Sequence, residues 1–161
     1  MVIAIERITE PTAEVRLLIT ELEAELAAVY SAEQRHGLNL ASIFRPEVSF
    51  FIARREHEPV GCGGIAFIDG IAELKRMYVR PDARGRGVAR AILARLEQEA
   101  RDRSVQRLVL ETGDAQHAAI RLYERAGFGR CAPFGPYAQM PPSAIRRSVF
   151  LEKPIAQTIE D

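Results

Sequence analysis

The chain has 161 residues, 47% of them hydrophobic and 27% charged, which excludes a disordered chain and suffices for a single domain with its own core. Lys and Arg together number 22, as do Asp and Glu, so the zero net charge gives no global attraction to nucleic acid or a membrane surface. Two cysteines without metal spacing (Cys62 and Cys131), no signal-like start and no run of membrane-spanning length fit a reduced, cytoplasmic setting.

Residues 2–8 alternate enough to predict a first strand. Pro11 and Thr12 open a helix whose Val15, Leu18, Leu22, Leu26 and Val29 form one apolar stripe, with Glu14, Glu21, Glu23 and Glu25 on its other side. Residues 30–46 read as irregular, with a short helix at Leu40–Phe44. Val48, Phe50 and Ile52 mark a second strand, and Val60–Ile68 a third. Asp69-Gly70 between two apolar runs predicts a tight hairpin to a fourth strand, Ile71–Val79. Helices follow at 86–102 and 115–126, separated by a short buried strand at Leu108–Leu110. Gly127 suits a helix C-cap, and Phe128–Cys131 and Ser148–Glu152 close the chain as strands. Antiparallel strands followed by one βαβ unit make this an α+β, mixed-sheet fold.

From Lys75 to Arg107 ten basic residues face four acids, a local excess that suits either an anionic ligand or a solvated helix face. Within it, Arg84-Gly85-Arg86-Gly87-Val88-Ala89 runs from a strand and a Pro-Asp turn directly into a helix. The first N–H groups of a helix lack intrahelical partners and its dipole favours anions there. Glycines at 85 and 87 let a phosphate reach that backbone, and Ala89 is nearly as small; Val88 lies on the buried face of the helix. A P-loop would need Gly-Lys-Ser/Thr, which is missing; a dinucleotide fingerprint would need glycine where Arg90 stands. Coenzyme A, with its pyrophosphate and 3′-phosphate, fits the loop, as does a plain glycine turn before a surface helix.

A second segment separates these readings. Arg84, Gly87 and Ala89 match an Arg-x-x-Gly-x-Gly/Ala pattern, and Gln116-His117-Ala118-Ala119-Ile120-Arg121-Leu122-Tyr123-Glu124-Arg125-Ala126-Gly127-Phe128 is similar to Asn-x-x-Ala-x-x-Leu-Tyr-x-x-x-Gly-Phe. In this order the two resemble the GNAT superfamily of acetyl-CoA-dependent N-acetyltransferases, clearly so across residues 60–130. One departure is Gln116, where the family usually carries Asn. The resemblance implies acetyl-CoA as cosubstrate, no metal, an amine acceptor on a small molecule, and in many members a homodimer. Protein acetylation and a non-catalytic CoA-binding module are the alternatives.

Carried over residue by residue, the resemblance assigns the cofactor to Arg84–Ala89, Gln116, Ala119 and the backbone of Met77, Tyr78 and Val79, with a Met77 N–H as oxyanion donor. Tyr123 becomes the general acid. Glu73 becomes the candidate base, four residues before Met77 and so, by strict alternation, on its face; a bulge would break that parity, and the plain alternative is a surface glutamate paired with Lys75 or Arg76. Tyr30, Arg76, Tyr78 and Tyr137 are candidates for the acceptor pocket. Cys131–Arg147 reads as a long loop shaping the site, with Arg146 and Arg147 fitting an acceptor carboxylate or a solvated rim. His36, His57 and His117 have no partners at metal or triad spacing.

Overall fold

A computed structural model describes residues 2–156. Seven strands form one sheet in the order β1-β2-β3-β4-β5-β7-β6. The strands are β1 Ile3–Ile8, β2 Val48–Arg55, β3 Glu58–Ile68, β4 Ile71–Val79, β5 Arg107–Gly113, β6 Gly129–Arg130 and β7 Ser148–Pro154. The helices are α1 Ala13–Ala27, α2 Leu40–Ile43, α3 Val88–Asp102, α4 His117–Arg125 and α5 Pro142–Ile145. The first four strands are antiparallel neighbours, β4 and β5 are parallel, and β7 returns antiparallel between β5 and β6. This is the mixed α+β arrangement that the element order predicts.

Local chemistry fixes several element ends. Thr12 caps α1, its hydroxyl accepting from the Val15 N–H at 3.3 Å. Asp69 and Gly70 both take positive φ, the requirement of the tight turn joining β3 to β4. Gly127 ends α4 in a Schellman motif: its own N–H bonds the Glu124 carbonyl and the Phe128 N–H bonds the Tyr123 carbonyl. The hydrophobic contact that accompanies such motifs is the edge-on pair of the Phe128 and Tyr123 rings, 5.8 Å apart. Tyr123 is thereby held by its own helix terminus.

The sheet has two covered faces. Against one lie α3 and α4, through Val88, Ile92, Leu96, Ile120 and Tyr123 packed with Phe51, Ile65, Leu74 and Leu110. Against the other lies α1, through Val15, Leu18 and Leu22 with Phe50, Ile52, Cys62 and Tyr78. Further along that face Phe134, Tyr137 and Phe150 pack on Val109. The segment read as a long loop therefore carries a 3-10 turn at Gly135–Gln139 and the short α5, wrapped round an aromatic cluster.

Two features of β4 depart from a regular strand. Gly64 pairs with Lys75 and Cys62 with Tyr78, so β4 spends three steps where β3 spends two. The extra residue sits beside Arg76, whose φ is +58°. In addition, β4 pairs with β5 only over Ala72–Leu74, opposite Leu108–Leu110, although β4 continues to Val79 and β5 to Gly113. Beyond Leu74 the two parallel strands part.

Candidate active site

The parting of β4 and β5 opens a cleft whose two sides differ. On the side of α3, the chain leaves β4 through a 3-10 turn at Pro81–Ala83 and enters α3 at Gly87. Gly85 and Gly87 both have positive φ, and a Cβ at either would meet nothing within 4 Å, so the loop backbone is open. The first α3 bond runs from Ala91 N–H to the Gly87 carbonyl, which leaves the N–H groups of Val88, Ala89 and Arg90 ahead of the ladder. Val88 anchors the turn in the core, while Ala89 is half-buried.

The basic excess of residues 75–107 resolves here. Arg76, Arg80 and Arg84 pair with Glu23, Glu21 and Glu25, the acidic side of α1. Arg95, Arg101 and Arg103 pair with glutamates one turn away on α3, Arg107 pairs with Glu152, and Lys75 with Glu73. Arg86 and Arg90 alone of the ten have no partner among the described residues, and both are exposed. The unneutralised positive charge thus lies at the glycine loop and the first turn of α3, where unpaired amides already favour an anion. Arg84 donates to the Val79 carbonyl at 2.9 Å and lies over the Tyr78 ring, bracing the end of β4.

On α4, Tyr123 belongs to the cluster that contains Leu74 and Leu110, the last residues to pair before the strands part. Burial holds its hydroxyl well above the ordinary tyrosine pKa, and no described residue hydrogen-bonds it. The phenol therefore stays protonated throughout the neutral range. Gln116 is the N-cap residue of α4 without a capping side-chain bond, and Ala119 packs against the same cluster.

The opposite side of the sheet holds a polar cluster. Glu73 is 6% exposed, and its Oε2 accepts the Tyr137 hydroxyl at 2.7 Å and faces Lys75 Nζ at 3.0 Å. Lys75 also donates to the Tyr137 oxygen at 2.7 Å and to the His36 carbonyl at 3.2 Å. His36 Nε2 donates to the Ala144 carbonyl at 2.7 Å, and its ring meets Tyr137 edge-on. Burial, followed by the charge of Glu73, pushes the Tyr137 hydroxyl far above its ordinary pKa, so it acts as a donor. A cavity of about 450 Å³ reaches Glu73 between Ile71 and the Phe134–Gly135–Pro136 corner.

The bulge at Arg76 corrects one expectation. Because β4 holds an extra residue there, Glu73, Lys75 and Tyr78 share the α1 face, whereas Met77 points to the α3 face and packs over Gly63. Glu73 and Met77 are on opposite faces. Nor is Glu73 a surface residue, although it does pair with Lys75. Of the acceptor-pocket candidates, only Tyr137 joins Glu73. Arg76 turns to Glu23 and to the Leu38 carbonyl, and Tyr78 gives its hydroxyl to Glu21 at 3.2 Å, with burial raising its pKa to about 12. Tyr30 accepts the Ala115 N–H at 3.0 Å, its ring beneath Arg147, which bonds Asp114 and the Val29 carbonyl at the protein surface.

Glu111 was not singled out by the sequence because β5 reads as ending at Leu110. The strand runs on to Gly113 and turns Glu111 into the polar cluster. Burial raises its pKa above the ordinary carboxyl value against the lowering effect of the Ser148 hydroxyl bond; His36 and Lys75 lower it further and Glu73 raises it. A carboxyl whose folded-state pKa is raised stabilises the fold below its unfolded pKa, and that contribution is lost as pH rises through the folded value. Glu111→Gln cannot ionise, so its melting temperature relative to the wild type should climb between pH 4 and pH 7. Thermal unfolding across that range checks this; a constant difference would refute it.

Residues 14–128 match the model of the acetyltransferase (GNAT) family. An IAA acetyltransferase of Azospirillum brasilense is 45% identical over 141 residues, covering 86% of this chain and 88% of its own. An uncharacterised N-acetyltransferase of Bacillus subtilis, YsnE, is 33% identical over 84% of this chain and 89% of its own. Among solved structures, a Klebsiella pneumoniae protein assigned as an acyl-CoA N-acyltransferase superposes with a TM-score of 0.80 at 36% identity, covering 96% of this chain and 98% of that one. With the open glycine loop and parted strands in place, these matches make the chain a member of the GNAT family of acetyltransferases, enzymes that use acetyl-CoA.

Proposed function

We propose that this acetyltransferase moves the acetyl group of acetyl-CoA onto the amine of a small molecule, by direct attack with both substrates held in the cleft. The observation that carries the reading is the parting of β4 and β5, with unpaired amides and guanidiniums at one end and a buried carboxylate on the opposite face. The A. brasilense relative, named for IAA, supports a small-molecule acceptor. Acetyl-CoA supplies the acetyl group as a thioester and leaves as the thiol.

The residues present fit that cosubstrate. The N–H groups of the loop and first α3 turn, with Arg86 and Arg90, hold the phosphates; Arg84 keeps the loop braced to Val79 and Glu25. The backbone of Met77, Tyr78 and Val79, which has no partner strand toward β5, holds the pantetheine arm, and the Met77 N–H serves as oxyanion donor. Gln116 and Ala119 line the start of α4 beside it. Gly87→Glu places bulk and negative charge at the open N-cap, in a conformation costing a non-glycine residue about 1–2 kcal/mol. Acetyl-CoA affinity should fall at least about tenfold while the fold survives; calorimetry with unchanged affinity would move the phosphate site elsewhere.

Tyr123 gives its phenolic proton to the departing sulfur. A raised pKa keeps the proton available but reduces the driving force for giving it up, which places the benefit low in the usual range for acid catalysis. Tyr123→Phe should therefore lower the single-turnover rate about 10²-fold, with acetyl-CoA affinity nearly unchanged. Full single-turnover activity in that variant would end the assignment.

Glu73 takes the amine proton from the α1 face, directly or through water, its carboxylate kept in place by Tyr137 and Lys75. In Glu73→Gln, kcat/KM should drop most at low pH, where free amine is scarce, and recover as pH rises. An unaltered pH profile would point to a different base.

A further inference from the structure

A second cavity, of about 420 Å³, lies between α1 and the segment leading into α2, on the same face of the sheet as Glu73. Its walls combine Ile19 and Leu40 with an unbalanced set of charges: Arg35, Arg76 and Glu23. Both guanidiniums pair with the one carboxylate, Arg35 at 3.2 Å and Arg76 more closely. Arg76 is deeply placed, its side chain 5% exposed, and it comes from the bulge immediately before Met77. Arg35 Nε is buried with no hydrogen-bond partner, the single such side-chain nitrogen or oxygen among the described residues.

The buried Arg76 and the part-exposed Arg35, sharing one carboxylate, leave a net positive charge in a partly apolar hollow, and a charge placed as deeply as that of Arg76 is costly without full compensation. A ligand carboxylate entering the hollow would offset that charge, since guanidinium forks bind carboxylates through paired N–H donors. We infer that this cavity is a carboxylate subsite, and that the natural acceptor is an amine carrying a carboxylate on an apolar body. This rests on the reading of the α1 face as the acceptor side. Arg76 joins the two regions: its guanidinium lies in the cavity and its backbone borders the proposed thioester position. Arg35 is the specificity residue at the outer wall.

The subsite can be tested without turnover by titrating phenylacetate and phenylacetamide into the whole protein. Phenylacetate should bind at least about tenfold more tightly than the amide, and Arg35→Gln should abolish that preference. Arg35→Lys, which keeps the charge beside Glu23 but removes the fork, should lose part of it. Equal binding of acid and amide, no binding of phenylacetate, or a preference that survives Arg35→Gln overturns the inference. In the transfer assay, 4-(aminomethyl)phenylacetate should exceed its amide in kcat/KM by about tenfold, a ratio that Arg35→Gln reduces toward unity. A protein that binds phenylacetate as expected yet releases no thiol from acetyl-CoA with any amine would keep the subsite and defeat the transfer reading; transfer to amines without acid preference would do the reverse.

Discussion

The extra residue in β4 at Arg76 is the constraint on which the site depends. A strand alternates faces strictly, so one inserted residue exchanges the faces of everything that follows. Here it sends Tyr78 to the α1 face with Glu73 and Lys75, and turns Met77 to the α3 face. It also lies just beyond the end of pairing to β5, two residues past Leu74. A straight β4 would keep its register, and its backbone amides would be spent on the neighbouring strand. The bulge keeps them available and gives one short segment access to both faces. The groups proposed for cofactor and acceptor can then meet without either passing through the core.

The bulge persists because its surroundings over-determine it. A non-glycine residue at positive φ carries strain, and Arg76 is an ordinary L-residue there. Its side chain is tied to the Leu38 carbonyl and to Glu23, and its carbonyl accepts the Cys62 thiol at 3.3 Å. Lys75, one residue earlier, holds the His36 carbonyl. The 36–38 segment is thus fastened to β4 at the bulge and at the residue before it. Lateral support comes from α1, whose glutamates engage arginines on β4, its following residue and the glycine loop. Part-exposed ion pairs such as Arg80–Glu21 and Arg84–Glu25 are individually weak, but with the more deeply placed Arg76–Glu23 they share one helix and one strand end, so they fix the orientation of the cleft wall more than the stability of the fold.

The elements legible in the sequence are those specified by local chemistry. Asp69-Gly70 names its turn, the spacing of Val88, Ile92 and Leu96 names the buried face of α3, and Gly127-Phe128 names both the end of α4 and the contact that holds Tyr123. The bulge has no such signature, since arginine has no preference for positive φ. The turn at Glu56–Glu58 is legible from the strands it joins, but its conformation is not: Glu56 and His57 both adopt positive φ without a glycine or asparagine to announce it. The fold of residues 131–147 depends on Phe134 and Tyr137 meeting Phe150 and Val109, contacts made by residues distant in the chain. Glu111 was hidden because β5 runs on beside β7 after its apolar run ends, and the residues of that extension carry no strand signal of their own.

Charge shows most directly what the sequence specifies and what only the fold can resolve. Ten basic residues over 75–107 suggest a broad anionic surface, and the acidic side of α1 suggests a solvated helix. Folding sets one against the other, and Arg95, Arg101, Arg103 and Arg107 find glutamates within a turn or across a strand pair. Two local imbalances remain at the proposed sites. Arg86 and Arg90 stand unpaired at the glycine loop, where solvent can screen them and a phosphate can reach them. Arg35 and Arg76 share Glu23 in a partly apolar hollow where screening is weaker. The first imbalance costs little when empty and suits a highly charged ligand arriving from solution. The second is more expensive to leave unsatisfied, which suits a smaller anion that binds deeply and selects for its shape.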